Sequence, residues 1–127
     1  LEAAGYEKNV TLRGAPYDFR YTPDTTSFVS DLRELIETTS SANNGAKVSI
    51  LTHSMGGLQG LYFLRRMTAD WKAKHIAKFI PISAPWVGAA KEARLFATGD
   101  NEGIPGVKPN TIRAEQRSPL ALAGMPF

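Results

Sequence analysis

Thr52-His53-Ser54-Met55-Gly56 places one serine at the meeting point of two unlike patterns. Val48-Ser49-Ile50-Leu51 before it is largely apolar and of strand length, while Gly56 and Gly57 after it open a helical pattern. A sharp strand–turn–helix around a serine is a nucleophile elbow. The turn strains the serine backbone and lifts its hydroxyl above the sheet edge. Small residues two positions to either side let strand and helix approach closely. The N–H of the next residue, Met55, then sits at a helix N-terminus, where free N–H groups and the helix dipole favour developing negative charge. Ser54 is therefore the candidate nucleophile and Met55 the candidate backbone oxyanion donor. Gly56 supplies the downstream small residue, but Thr52 replaces the upstream one. The match to G-x-S-x-G is imperfect.

The elements that must position this turn are legible on both sides of it. Leu1-Glu2-Ala3-Ala4-Gly5 reads as the last turn of a helix closed by a C′ glycine, so the chain is expected to be a fragment of a larger protein. Val10-Thr11-Leu12-Arg13 reads as a short strand ended by Gly14-Ala15-Pro16. Tyr17 to Tyr21 form an aromatic-rich loop. Phe28, Val29, Leu32, Leu35 and Ile36 recur at helical spacing, which predicts an amphipathic helix from about 25 to 39, ended by the polar run to Gly45. The elbow strand follows at about 47–52, read as a fully buried parallel strand. The next helix runs to about residue 68, with Leu58, Leu61, Tyr62, Leu64 and Met67 on its buried side. Ala69-Asp70-Trp71-Lys72 begins a short helical connector. Ile76 to Ile82 is a second apolar strand, whose Pro81 suggests an irregular end and no central ladder position.

This alternation argues a doubly wound parallel sheet, here a fragment of the α/β-hydrolase kind. Ligands of such sheets bind beyond the carboxyl ends of the strands. The loops at 14–21, 53–56 and 83–88 are expected to meet in one crevice. After Ala84-Pro85-Trp86 the alternation stops. Lys91 to Thr98 reads as a short helix, and Gly99 to Asn110 as a long loop of the lid type.

Composition narrows the class. At 127 residues, 43% hydrophobic and 21% charged, the chain matches a single globular domain. No run reaches the roughly 18 apolar residues of a membrane span. There is no cysteine, which excludes disulfide and thiolate chemistry within the chain. Fifteen basic residues against twelve acidic ones leave a net charge of +3. The excess in Arg65, Arg66, Lys72, Lys74, Lys78, Lys91 and Arg94 reads as a solvated basic face, the alternative being a dock for anionic lipid. It lacks the interleaved aromatics of a nucleic-acid surface, and no nucleic acid is expected as a partner. Asn9-Val10-Thr11 is a glycosylation sequon and a weak pointer to a secretory route.

Five stretches in order carry a family resemblance: Gly14-Ala15-Pro16-Tyr17-Asp18-Phe19-Arg20, Thr52-His53-Ser54-Met55-Gly56, Ala84-Pro85-Trp86-Val87-Gly88, Thr98-Gly99-Asp100-Asn101 and Gln116-Arg117-Ser118. Together they resemble the lecithin:cholesterol acyltransferase and lysosomal phospholipase A2 family from about residue 5 to 118. The resemblance implies a serine acyl-enzyme. Ser54 would attack a phospholipid acyl ester at a membrane or lipoprotein surface. The acyl group would pass to water or to an alcohol acceptor such as a sterol or another lipid. It also implies that residues 1–88 are the central part of the hydrolase core and 89–127 the start of a cap or lid. The compartment it suggests is the secretory route: secreted, lysosomal or vacuolar, or lumenal. Neither cofactor nor metal is expected.

Within that frame Tyr17, Phe19 and Trp86 are candidates for lining the acyl site, and Asp18 with Arg20 for an ion pair that shapes the crevice. Each has a plainer reading as loop packing. His53 adjoins Ser54 on the turn itself and is a poor candidate for the base, because triad partners come from elsewhere in the fold. His75 falls at the far end of the sheet and reads as an exposed or packing histidine. The chain order of this fold is Ser, then Asp or Glu, then His. Asp100 lies in the expected lid and not after a further strand. No triad acid, base or second oxyanion donor is identified within the 127 residues, and the isolated chain is expected to be inactive. Two other functions stay open: a serine esterase or thioesterase for soluble substrates, and a non-catalytic binding module that kept the fold.

Overall fold

The structure is a computed structural model and describes residues 1–90, 94, 97–99, 105, 106 and 108. The chain divides into two units, Leu1–Ala84 and Pro85–Phe127. The first contains helix α1 (Phe28–Ala42), strand β1 (Val48–His53), helix α2 (Gly56–Arg66), helix α3 (Ala69–His75) and strand β2 (Ile76–Ile82). β1 and β2 pair in parallel, as strands joined by a helical crossover do. The result is a small α/β unit with a two-stranded parallel sheet among the described residues.

The core lies on one face of that sheet. Phe28, Leu32 and Ile36 of α1 meet Phe63 of α2, and Val48, Ile50, Trp71 and Ile76 pack around them. Ile36 is 2% exposed and Phe63 fully buried. The i, i+4, i+8 spacing of the α1 trio places all three on one helical stripe. Among the described residues nothing covers the opposite sheet face, with Leu51 49%, Ile80 42% and Ile82 48% exposed. β1 thus alternates between half-buried and exposed positions. It was expected to be buried on both faces, but the described helices cover only one.

Local chemistry moves several element ends. α1 starts at Phe28 because Pro23–Thr25 forms its own 3-10 turn. It continues past residue 39 to Ala42, through a run that the polarity of its side chains had marked as a terminator. Thr38 Oγ1 donates to the Glu34 carbonyl and Thr39 Oγ1 to the Leu35 carbonyl, so those hydroxyls bond back onto the helix. Thr68 caps α3, its Oγ1 accepting from the Trp71 N–H at 3.2 Å.

Residues 10–13 do not form a strand. Asn9 takes φ 63° and the segment closes into a turn with one isolated bridge, Lys8 to Leu12. The Glu7 carbonyl accepts from the N–H groups of Val10, Thr11 and Leu12, which satisfies these groups locally and leaves no ladder to extend. The N-terminal turn at Glu2–Ala4 is a 3-10 turn closed by Gly5 at φ 89°, in keeping with the expected glycine stop.

Pro81 is not an irregular end: β2 runs through it, paired with Thr52. The carbonyl of Ile82 faces β1, so the backbone of Pro81, one residue earlier, faces the other way. Its missing N–H therefore costs no bond to β1. In the second unit Ala90, Arg94, Ala97 and Thr98 are helical and Gly99 takes φ 82°. Asp100, most of the expected lid and the Gln116-Arg117-Ser118 motif lie outside the described residues.

Candidate active site

Ser54 follows the last residue of β1 and adopts φ 52°, the left-handed region that a side chain rarely occupies. Its N–H donates to the Ile82 carbonyl at 2.9 Å, extending the β1–β2 ladder by one bond into the turn. Its carbonyl accepts from the Gly57 N–H at 2.9 Å. Two bonds therefore fix the strained peptide while the residue stays exposed. Met55 has helical angles (φ −55°, ψ −26°) and caps α2. Among the described residues its N–H has no acceptor. A serine held by its backbone beside a free N–H at a helix start suits attack on a carbonyl whose oxygen becomes negative.

Two glycines of α2, Gly57 and Gly60, permit this approach, a role that the apolar pattern of the sequence does not announce. A Cβ on Gly60 would fall 2.7 Å from Phe79 of β2, and one on Gly57 would collide with the Cβ of Ala84. A Cβ on Gly56 would lie 3.6 Å from the Cβ of Thr52, an ordinary contact, so threonine is accommodated at the upstream position without a clash. The space comes from the helix side. The signal was the i, i+3 spacing of Gly57 and Gly60, which puts both on one helical face.

These glycines also correct the buried face of α2. Gly57, Gln59, Gly60 and Phe63 are its buried residues, whereas Leu58 and Leu61 are exposed. Glycine took positions 57 and 60 because there the helix lies too close to β2 and Ala84 for a side chain. Leu64 and Met67 do pack against the core, and Tyr62 lies under the Arg66 guanidinium at 3.4 Å.

Tyr17 is brought to the elbow. Its hydroxyl is 3.8 Å from where a Gly56 Cβ would stand, and its ring meets Phe28 edge-on at 5.7 Å. Phe19, two residues on, is exposed. Between them Asp18 takes Arg20 in a two-point ion pair, Nη2 to Oδ2 at 2.5 Å and Nε to Oδ1 at 2.8 Å. Those bonds hold the Asp18 carboxyl down at about 2. Trp86 belongs to the second unit, where Gly88 N–H to Pro85 carbonyl at 3.0 Å closes the turn that carries it.

His53 is exposed at the end of β1 and makes no hydrogen bond to Ser54. His75 packs at 5.0 Å on Trp71 at the other end of the sheet. A groove of about 480 Å³ runs along β1 past Leu35, Ile50, Thr52, His53 and Gly56, and Ser54 is not part of its lining. It follows the strand edge that has no partner among the described residues.

The family described as lecithin:cholesterol acyltransferase matches residues 1–125. Lecithin-cholesterol acyltransferase-like 1 of Arabidopsis thaliana is 42% identical over 122 residues, covering 90% of this chain and 28% of that protein. The lysosomal phospholipase A and acyltransferase of Homo sapiens is 42% identical over 118 residues, covering 92% and 28%. The phosphatidylcholine-sterol acyltransferase of Gallus gallus is 40% identical over 114 residues, covering 89% and 27%. The chain thus spans less than a third of the length of these relatives. It belongs to the lecithin:cholesterol acyltransferase family.

Proposed function

We propose that the full-length protein is a lipid acyltransferase or phospholipase A of α/β-hydrolase fold, and that Ser54 forms its acyl-enzyme. The observation that carries this is the turn: Ser54 at φ 52° beside a Met55 N–H with no acceptor among the described residues. Ser54 Oγ attacks the carbonyl carbon of a phospholipid acyl ester, and the Met55 N–H receives the oxyanion. The ester C–O bond breaks, and the departing alcohol takes the proton that the general base removed from Ser54. Water or a lipid alcohol then accepts the acyl group by the reverse sequence.

The base and its acid are assigned to the part of the protein beyond these 127 residues, since His53 and His75 are poorly placed for it. Tyr17, Phe19 and Trp86 are assigned to the acyl chain, with support from Tyr17 beside Gly56. Residues from about 89 onward are taken as the start of a cap. Relatives named as lysosomal and as acting on phosphatidylcholine and sterol support a lipid surface reached by the secretory route.

The test uses the full-length protein. Ser54→Ala is expected to abolish labelling by a fluorophosphonate probe and acyl release from phospholipid vesicles. Undiminished labelling in that variant overturns the assignment. Activity that fails to rise when substrate is presented as vesicles favours a soluble ester over a lipid.

A further inference from the structure

We propose that Asn9 is an N-glycosylation site, carrying an oligosaccharide at the end of the unit away from Ser54. Asn9-Val10-Thr11 is an acceptor triplet with no proline at its centre. The fold meets the demands that a glycan makes. Asn9 is exposed at the tip of the turn from Glu7 to Leu12, and its side-chain amide makes no hydrogen bond among the described residues. The turn is held by other groups: Asn9 N–H to the Leu12 carbonyl at 2.8 Å, the Glu7 carbonyl, and Thr11 Oγ1, which accepts from the Glu7 N–H at 2.8 Å. A substituent on the Asn9 amide therefore breaks no hydrogen bond among the described residues.

The φ of 63° at Asn9 has a plain conformational explanation, because asparagine tolerates the left-handed region. Glycine would adopt this backbone more freely, and aspartate also tolerates it. Neither would make the triplet an acceptor.

Placement keeps the sugar clear of the chemistry. Asn43, the residue that ends α1, donates from Nδ2 to the Val10 carbonyl at 3.1 Å, which pins the turn near the start of β1. Ser54 lies past the other end of that six-residue strand. At about 3.3 Å per residue the two ends are roughly 17–20 Å apart.

The reaction balances without help from this chain. The Asn9 amide nitrogen displaces a lipid pyrophosphate from C1 of a lipid-linked oligosaccharide. The N–C1 bond forms and the C1–O bond breaks. The pyrophosphate leaves with the electron pair, and the amide proton goes to the base of the transferase that supplies the donor.

The proposal rests on the secretory-route reading and not on the acyl-enzyme reading. Full-length protein from a eukaryotic secretory host is compared before and after peptide-N-glycosidase, with mass spectrometry of the residue-9 peptide. Wild type and Thr11→Ser are expected to carry the glycan. Asn9→Asp, which keeps the turn, and Thr11→Ala are expected to lose one endoglycosidase-sensitive mobility step, with acyl release by Asn9→Asp unchanged. An unmodified residue-9 peptide overturns the proposal. Protease treatment of sealed membranes separates the causes: a protected, unmodified chain overturns the glycan alone, whereas a digested chain overturns the secretory route as well.

Discussion

The Ser54 N–H donates to the Ile82 carbonyl at 2.9 Å, so the elbow is tied to the end of the neighbouring strand. That alignment depends on register. Val48 pairs with Ile76, but Ser49 pairs with Lys78, leaving Ala77 as an extra residue on β2. Beyond this bulge Phe79 and Pro81 face the helices, and Ile80 and Ile82 face outward. Deleting Ala77 is expected to leave those faces in place and fluorophosphonate labelling of Ser54 intact. Deleting Ile80 removes the Ile82 carbonyl from Ser54 and reverses the end of β2. Loss of labelling is the expected outcome, measured on full-length protein.

Gly60→Ala tests the close approach of α2 to the sheet. The new methyl meets Phe79 at 2.7 Å, an overpacking worth about 1–3 kcal/mol. Phe79→Leu in the same chain is expected to recover part of the loss, a coupling that thermal melts of the four variants would measure.

Phe63→Ala empties the centre of the core cluster and is expected to cost about 3–5 kcal/mol, read by denaturant titration. Leu61→Ala, on the exposed side of the same helix, is expected to change stability by no more than about 0.5 kcal/mol.

That contrast shows where sequence and structure part. The α1 stripe was legible because Phe28, Leu32 and Ile36 are large, apolar and four apart, so periodicity and burial agree. In α2 they disagree. Its leucines mark an apolar face, but strand proximity gives the inward face to Gly57 and Gly60, which hydrophobicity does not reveal. The strand expected at 10–13 failed for a different reason: Val10-Thr11-Leu12 has strand composition, while the left-handed Asn9 and the Glu7 carbonyl close it into a turn. The elbow was readable because its strand, small residues and helix start are all local. A catalytic base is not local, and no pattern beside Ser54 points to it.

Trp71→Phe removes the indole donor to Glu37, at 2.6 Å, while keeping the edge-on contact with Phe63. Arg33, and then Trp71, hold the Glu37 carboxyl below its ordinary value of 4.5. A depressed carboxyl stabilises the fold above its unfolded value and loses that contribution as pH falls through its folded one. Glu37 keeps solvent access, so the loss in Trp71→Phe is expected to be about 1 kcal/mol at neutral pH. Melts at falling pH are expected to bring variant and wild type together once Glu37 is protonated.

Asp18 obeys the same sign at lower pH. Its contribution is complete above the ordinary value of 3.8 and lost only as pH falls through about 2. Carbon-13 NMR titration of the carboxyl is expected to show that low midpoint, and Arg20→Gln to return it toward 3.8.

The left-handed backbone at Ser54 also constrains which residues substitution can leave at this position. A serine at φ 52° sits where β-branched and bulky residues are strained and glycine, asparagine or aspartate are at ease. Neutral drift at this codon therefore has few stable destinations. A homologue that has lost this serine but kept the fold should carry one of those three residues between His53 and Met55, a fossil of the turn.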